Sequence, residues 1–253
     1  MNAQQPAVSS ATQSSGNRAR LKQQREQQLL QLAQQILQQE GFAGLTMDRL
    51  TAASEVSKGT IYNHFCSKED LITALSVDSL QRQLLLFQQA LSFSGHSRER
   101  ALALHYAYFL FSTTEPTLFL CLLSATTPAV VEKSSASRLA QRQALEQQLL
   151  GYCQQVIQQA LSENAISLPG GRCIEELTYL QWALAFGGNA LYRPTQQMGF
   201  FQGLAQQQLM LSGVNLLLDG LGWQPLSADF DYQGCWQRIA LALQQTPDKD
   251  VQP

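Results

Sequence analysis

The chain has 253 residues, of which 45% are hydrophobic and 14% are charged, a composition typical of a globular protein with one large or two modest domains. No apolar run reaches the ~20 residues that a membrane-spanning helix needs, and the first twenty residues lack the apolar core of a secretory signal. The five cysteines are scattered, without C-x-x-C spacing, which argues against a disulfide framework and a zinc site. We therefore expect a cytoplasmic protein with no metal, no cofactor and no membrane partner.

The net charge of −2 is unevenly distributed. Residues 17–68 contain seven Lys or Arg and four acidic residues, a balance of +3, whereas residues 69–253 contain ten and fifteen, a balance of −5. A locally basic segment on an acidic body fits a small phosphate-facing module attached to a larger one. The basic cluster between Arg18 and Arg25 is either a solvated helix start or a set of DNA contacts.

The first predicted helix follows a segment without periodicity. Residues 1–17 are rich in Ser, Gln and Ala, and we expect them to form a disordered tail. From Asn17 onward apolar residues recur at three- and four-residue spacing, which predicts an amphipathic helix of about five turns with Gly41 at its C-terminal cap. The apolar residues are Leu29, Leu32, Ala33, Ile36 and Leu37.

A second, shorter helix is predicted after Thr46, whose hydroxyl suits an N-terminal cap. Asp48 lies in its first turn, where the helix dipole favours a negative charge. Leu50 and Ala53 are its expected buried face.

A third helix is predicted from Lys58, with Ser57 as its cap. Only Ile61 and Phe65 share a face of this helix, so its remaining side chains are expected to point outward. A short helix held by two apolar residues, following another short helix across a four-residue turn, is the helix-turn-helix arrangement, in which the second helix reads the major groove. An S-x-x-D signal that starts at Ser67 predicts a fourth helix directly afterwards.

Residues 45–75, LTMDRLTAASEVSKGTIYNHFCSKEDLITAL, resemble the DNA-binding signature of TetR-family transcriptional regulators, with ten or more fixed positions in register. Glu55 replaces the usual turn glycine, so either a left-handed conformation costs about 1 kcal/mol there or the turn adjusts. Cys66 replaces the commoner proline. Neither change removes a side chain expected to contact DNA.

The resemblance implies an all-α protein with an N-terminal three-helix helix-turn-helix DNA-binding domain and a larger helical domain for effector binding and dimerisation. We place the domains at residues 18–78 and 79–245, between tails at 1–17 and 246–253. Helix breaks are expected near Gly95, 115–116, 127–128, 169–171 and Pro194. Long helical segments are expected over 132–164, 173–192 and 200–221.

The DNA-contacting residues are predicted from their chemistry and their match to the family pattern: Thr46, Ser57, Lys58, Gly59, Thr60, Tyr62, Asn63, His64 and Lys68. The family implies that Tyr62, His64 and Lys68 mostly contact phosphates, which leaves sequence preference to Asn63 and Thr60. Taken alone, Tyr62 is also consistent with a half-buried aromatic and His64 with a surface or capping histidine.

Candidate effector-contacting residues are aromatic or polarizable side chains on otherwise apolar helices: His105, Tyr108, Phe109, Cys121, Tyr152, Trp182 and Phe186. Such residues line mostly apolar cavities that carry a few polar groups, and equally an ordinary core. The scarcity of Lys and Arg around them favours an apolar or aromatic effector.

The resemblance implies that the last two long segments pair with their copies in a second subunit. Their small residues suit that role because they allow close helix approach, and two-fold proteins read palindromic sites. These residues are Ala183, Ala185, Gly187, Gly188 and Gly213, and an ordinary contact within one chain is the alternative.

No metal-protease, nucleophile-elbow, P-loop or dinucleotide-binding motif is present, so we expect no catalytic residues and no enzyme. We expect a homodimeric regulator, most simply a repressor, that binds a palindromic operator in double-stranded DNA and is released by a small, largely apolar effector. The alternative is a related DNA binder that organises chromosomes or acts in division.

Overall fold

Residues 10–196, 198–199 and 202–244 are described by a computed structural model, and all the regular elements in this part of the chain are helical. This confirms the predicted all-α class. The helices are α1 Ser10–Gly44, α2 Met47–Ala53, α3 Lys58–His64, α4 Lys68–Leu91, α5 Ser97–Thr114, α6 Pro116–Ser124, α7 Pro128–Val131, α8 Ala136–Ser162, α9 Ile174–Gln196, α10 Gln206–Gly220 and α11 Tyr232–Gln244. A 3₁₀ turn, Pro169–Gly171, precedes α9.

The first helix begins earlier than its periodicity indicates. Residues 10–17, expected in a disordered tail, form its first two turns, while residues 1–9 and the expected tail at 246–253 lie outside the described residues. The start of α1 carries no apolar stripe, so the pattern used to find helices is absent there although the backbone is helical. Gly41 interrupts the helix, as predicted, with a φ of +69° that a residue with a Cβ rarely adopts.

Contacts between residues divide the chain into two compact units. The first unit contains the described residues up to Leu75 together with a distant segment, Ser124–Leu139. The second contains Ser76–Leu123 and the described residues from Ala140 onward. The first unit therefore joins two pieces of chain that are separated by almost fifty residues.

In the second unit, α5 is the central helix and contacts α9, α10 and α11. Its residues 101–108 are all buried. The guanidinium of Arg98, which is fully buried, donates to the carbonyl oxygens of Trp223 and Pro225 and pairs with Asp219 at 2.7 Å. A buried charge needs such partners, and here they tie the start of α5 to the end of α10 and the loop after it.

The predicted helix breaks match the helix ends, with one adjustment at Pro194. This residue lies inside α9, which continues to Gln196, so the proline lies in the last turn of the helix rather than after it.

In the described residues no single helix is long and apolar enough to cross a membrane. Helices α5 and α6 reach such a length only as a pair, and they bend by 102° at the break between them.

Candidate nucleic-acid interface

Side-chain caps start both short helices of the first unit. The Thr46 hydroxyl accepts a hydrogen bond from the backbone N–H of Arg49 at 3.0 Å. The Ser57 hydroxyl accepts one from the N–H of Thr60 at 3.3 Å and lies 3.0 Å from the Thr60 hydroxyl. Both predicted caps are therefore formed, and they fix where α2 and α3 begin.

Helix α3 has one buried face and one exposed face. Ile61 and the residue after the helix, Phe65, are completely buried, as their spacing predicted. The opposite face is open to solvent and carries Lys58, Gly59, Tyr62 and Asn63. The hydrogen-bonding side chains of this short helix therefore do not contribute to the core, because two apolar anchors hold it in place.

The turn between α2 and α3 accommodates Glu55 without strain. Among the described residues other than glycine, only Asn164 has a positive φ, so Glu55 avoids the left-handed conformation and the turn adjusts instead. At the other departure from the family pattern, the backbone N–H of Cys66 donates to a carboxylate oxygen of Asp70 at 3.2 Å, a bond that proline cannot form.

Lys58 joins the two short helices. Its ammonium lies 2.7 Å from a carboxylate oxygen of Asp48, the acidic residue in the first turn of α2, and both side chains are largely exposed. The hydrogen bond and charge of Asp48 raise the pKa of Lys58, so this lysine is fully charged at neutral pH. It also lies 6.0 Å from the centre of the Tyr62 ring. Lys58 is thus a charged and exposed side chain at the start of α3, paired with Asp48 within the single chain.

His64 lies inside the unit, unlike the expectation that its side chain reaches DNA. Its imidazole is only 3% exposed, and its Nδ1 lies 3.3 Å from the carboxylate of Glu26 on α1. The same carboxylate pairs with Arg138 at 2.7 Å. Burial alone raises the pKa of Glu26, but the hydrogen bonds and charges of Arg138 and His64 outweigh it, and the pKa falls below its usual value. Glu26 is therefore ionised, and it contacts both Arg138 and His64, the last residue of α3.

Lys68 is also engaged within the protein. Its ammonium donates to the carbonyl oxygen of Phe42 at 2.6 Å, which links the first turn of α4 to the end of α1. The predicted cap of α4 is present, since the Ser67 hydroxyl accepts from the N–H of Asp70 at 2.9 Å. Ala53, expected on the buried face of α2, is exposed because it is the last residue of that helix.

The segment Ser124–Leu139 contributes contacts that sequence reasoning missed. The buried carboxylate of Asp70 accepts from both the backbone N–H and the hydroxyl of Ser135, at 2.9 and 2.8 Å. The hydroxyls of Thr73 and Ser134 lie 2.7 Å apart, and that of Ser67 donates to the carbonyl oxygen of Lys133 at 2.8 Å. These partners are more than sixty residues apart in sequence, and no local pattern marks such a pairing.

The candidate effector residues of the second unit divide into a cluster and isolated positions. The ring centre of Phe119 lies 5.8 Å from that of Tyr108 and 5.7 Å from that of Phe186. The ring centre of Trp182 lies 5.9 Å from that of Phe186. Three of these four residues were predicted from sequence, and Phe119 was missed. We call these four residues the aromatic cluster.

His105 and Cys121 carry no charge at neutral pH. Burial lowers the pKa of His105 to about 4, partly opposed by its hydrogen bond to Gln181. Burial raises the pKa of the Cys121 thiol to about 12. Phe109 lies apart from the cluster, beside Tyr106 and Trp236, and the Tyr152 hydroxyl accepts from the side-chain amides of Gln88 and Gln148. Neither Phe109 nor Tyr152 has a ring contact with the cluster among those found in the described residues.

Helices α9 and α10 leave large apolar side chains exposed. We call this set the α9–α10 face, and its members are Tyr179, Trp182, Leu191, Leu209 and Leu216. Leu216 is 75% exposed. Large exposed apolar side chains of this kind are candidates for a contact with another molecule.

The arrangement of capped α2, turn and α3 on a small helical core defines the class: a helix-turn-helix DNA-binding domain. Residues 29–75 match the family model described as bacterial regulatory proteins, tetR family. The residues that form the helix-turn-helix are therefore similar to the DNA-binding part of this family.

One curated relative is the HTH-type transcriptional regulator UidR of Escherichia coli (strain K12), which is 34% identical over 61 residues. The match covers 24% of this chain and 31% of UidR, so the chain spans about a third of the curated relatives it matches.

Two solved structures extend the similarity in fold. The TetR family transcriptional regulator PfmR from Thermus thermophilus has a TM-score of 0.59 at 16% identity, over 76% of this chain and 98% of PfmR. The ketosteroid transcriptional regulator KstR2 of Mycobacterium tuberculosis has a TM-score of 0.57 at 18% identity, over 78% and 94%. At these identities the similarity establishes a shared fold.

Proposed function

We propose that this chain is a transcriptional repressor that binds a palindromic operator as a homodimer and is released by a small, largely apolar effector. Residues 18–78 are assigned to DNA binding and 79–245 to effector binding and dimerisation. The observation that carries the proposal is the exposed face of α3, which presents Lys58, Tyr62 and Asn63 while Ile61 and Phe65 anchor the helix. The protein acts in the cytoplasm as a regulator and not as an enzyme.

The assignment of DNA contacts follows from what each side chain is free to do. Thr46, Ser57 and Thr60, at the helix starts, offer hydroxyl and backbone donors to phosphate oxygens. Tyr62 and Asn63 are exposed and have hydrogen-bonding groups directed away from the core. His64 and Lys68 act indirectly, because their contacts to Glu26 and Phe42 position α3 and the start of α4.

An uncharged, apolar effector is supported by the aromatic cluster. His105 and Cys121 are neutral at physiological pH, and burial raises the pKa of Tyr108, so its hydroxyl is neutral as well. A bare anion would find no cation among these groups, whereas a ring or hydrocarbon would find aromatic faces with a few polar groups.

Effector binding is proposed to favour a conformation in which the two α3 helices of the dimer are wrongly spaced for successive major grooves. Because half-sites repeat at ~34 Å along DNA, a modest change in spacing lowers operator affinity sharply. A saturating effector that left operator affinity unchanged would contradict this mechanism.

The first test is a footprint of the purified protein on the DNA that flanks its own gene, in moderate salt with excess competitor DNA. We expect a protected, roughly palindromic site. Salt-sensitive binding to any DNA without a protected site would instead favour the chromosome-organising alternative, which genome-wide mapping would reveal as many binding sites.

The second test uses variants of α3 on that operator. Tyr62→Ala is expected to weaken binding to all sequences, and Asn63→Ala to change the preferred base at one position of each half-site. The matched control is Gln237→Ala, which alters an exposed polar residue of α11 and is expected to leave binding unchanged. Unaltered binding by the Tyr62 variant would remove α3 from the interface.

A further inference from the structure

The amino-terminal part of α1 carries an exposed basic stripe outside the matched domain. Arg18, Lys22 and Arg25 are exposed and precede Leu29, the first buried residue in the part of α1 from Gly16 onward. Their spacing of four and three residues places them on one helix face, over a length of about 10 Å. Arg20 is also exposed, but lies on the opposite face. We call Arg18, Lys22 and Arg25 the α1 stripe.

The α1 stripe has no anionic partner among the described residues, unlike the cations that follow it in the first unit. After Glu26, every Arg of this unit pairs with a carboxylate, as do Lys58 and Lys133. The pairs are Arg49–Glu40, Lys58–Asp48, Lys133–Glu69 and Arg138–Glu26. Lys68 instead donates to a backbone carbonyl oxygen. Residues 10–25 contain no Asp or Glu. Like charges at three- and four-residue spacing repel one another along a helix. An external anion would relieve this repulsion.

The stripe begins beside the end of the candidate recognition helix. Glu26 follows Arg25 directly, and its carboxylate lies 3.3 Å from Nδ1 of His64, the last residue of α3. From this contact α1 continues in its amino-terminal direction through Lys22 to Arg18. The unpaired cations therefore start within one residue of a direct contact to the helix that carries Tyr62 and Asn63.

A nucleic-acid backbone fits this surface better than a lipid bilayer does. Between Gly16 and Gln28 the only apolar residues are Ala19 and Leu21, so this part of α1 lacks the apolar face with which interfacial helices insert into membranes. The stripe is about 10 Å long, which corresponds to about three steps of the 3.4 Å axial spacing of phosphates along one DNA strand, so its cations can lie beside successive phosphates.

We propose that the α1 stripe is a second DNA-contacting element, which binds phosphates that flank the half-site read by α3. This inference rests on the proposed function, since it requires that α3 binds DNA. It enlarges the contacted site without adding base recognition, because phosphate contacts carry no sequence information.

The test is the salt dependence of operator affinity for the full chain and for the triple variant R18Q/K22Q/R25Q. Glutamine keeps good helix propensity and removes the charge. If each cation contacts one phosphate, the slope of log K against log salt decreases in magnitude by about 2.7 per protomer, at 0.9 per contact. The footprint is expected to shorten at its outer edges with the same central bases protected.

Two controls separate position from charge. Lys22→Gln is expected to reduce the slope by about 0.9 per protomer, whereas Arg20→Gln, on the opposite face, is expected to leave it unchanged. The charge-preserving variant R18K/R25K is expected to behave like the parent protein.

A triple variant that protects the operator with the parent's slope would overturn the inference and leave the proposed function intact. A parent protein that protects no site would instead overturn the proposed function. If the slope stayed the same while the substitutions abolished binding to vesicles containing anionic lipid, the stripe would be assigned to a membrane surface, which also overturns the inference.

Discussion

Gly59 has no reason within the protein to be a glycine. A Cβ built at this position meets no other atom within 4 Å, and its φ is not positive. Inside a helix, glycine is less favourable than alanine by about 0.8–1 kcal/mol. The free protein thus gives up helix stability at the exposed face of α3, which is explained if another backbone approaches closely there.

Gly59→Ala is therefore expected to have effects of opposite sign on folding and binding. The free energy of unfolding, measured with urea, should rise by up to about 1 kcal/mol, while operator affinity, measured by fluorescence anisotropy, should fall. The matched control is Gly151→Ala in α8, where a Cβ also meets nothing within 4 Å; it should stabilise the protein without affecting DNA binding. Equal affinity of the Gly59 variant and the parent would exclude close approach of DNA at this residue.

His105 predicts a pH dependence of stability. Its pKa in the folded state is about 4, below the usual value of 6.5, because burial disfavours the charged form. The unfolded chain therefore binds a proton more readily, so the contribution of neutral His105 is fully present above pH ~6.5 and is lost as the pH falls toward 4. The full difference corresponds to on the order of 3 kcal/mol.

In His105→Gln, the free energy of unfolding is expected to decrease less between pH 6.5 and 5 than in the parent protein. Urea unfolding at several pH values measures this difference, and restricting the range to pH above 5 limits interference from carboxylates. Parallel curves for the two proteins would mean that His105 is not the titrating group.

The roles of His64 and Lys68 illustrate the limit of sequence at this scale: their residue types and register match the family pattern, but their partners, Glu26 and Phe42, are remote in sequence.

At the scale of elements, local sequence signals were sufficient to predict the helices. They were not sufficient to predict the hydrogen bonds that join these helices to segments remote in sequence. Thr46, Ser57 and Ser67 each cap the residue three positions later, and such local hydrogen bonds can be read directly from sequence. The binding of Ser135 to Asp70 could not be predicted, because sixty-five residues separate them and serine is common in any loop.

The small residues of α9 and α10 lie in two kinds of surroundings that sequence did not separate. A Cβ on Gly188 would lie 2.7 Å from the Met210 sulfur, and one on Gly213 would lie 3.3 Å from Leu184, so these glycines allow α9 and α10 to pack within one chain. Gly187, in contrast, meets nothing within 4 Å, and Ala183 is exposed. Ala185 is buried, so only Gly187 and Ala183 remain for the proposed dimer contact.

Leu216→Asp is expected to convert the proposed dimer to a monomer, because it places a charge on the α9–α10 face, where an apolar contact between copies is proposed. The side chain is 75% exposed in the single chain, so the monomer should keep its fold. Sedimentation velocity measures the mass, and circular dichroism checks the helical content. Leu241→Asp in α11, at a leucine that is 62% exposed, is the matched control and should leave the mass unchanged. If Leu216→Asp and Leu241→Asp both kept the mass of the parent protein, any dimer contact would lie elsewhere.

At the scale of the whole molecule, the sequence predicted the class and not the division of the chain. Helical periodicity without strand-like alternation was enough for the all-α fold. The expected domain boundary was a single point near residue 78, whereas the compact unit around α3 also includes Ser124–Leu139. Dividing a sequence at one point assigns neighbouring residues to the same domain. It therefore cannot assign the later segment Ser124–Leu139 to the unit formed by the residues before Leu75.

The late segment of the first unit has a consequence for protein synthesis. When a ribosome has made the first seventy-five residues, α2 and α3 can already form, but the donors from Ser135 and the guanidinium of Arg138 do not yet exist. Until they arrive, the buried carboxylate of Asp70 and the charged Glu26 lack these partners, which destabilises the end of α3 and the start of α4. The nascent chain thus completes its DNA-reading module only after translation has entered the second half of the protein.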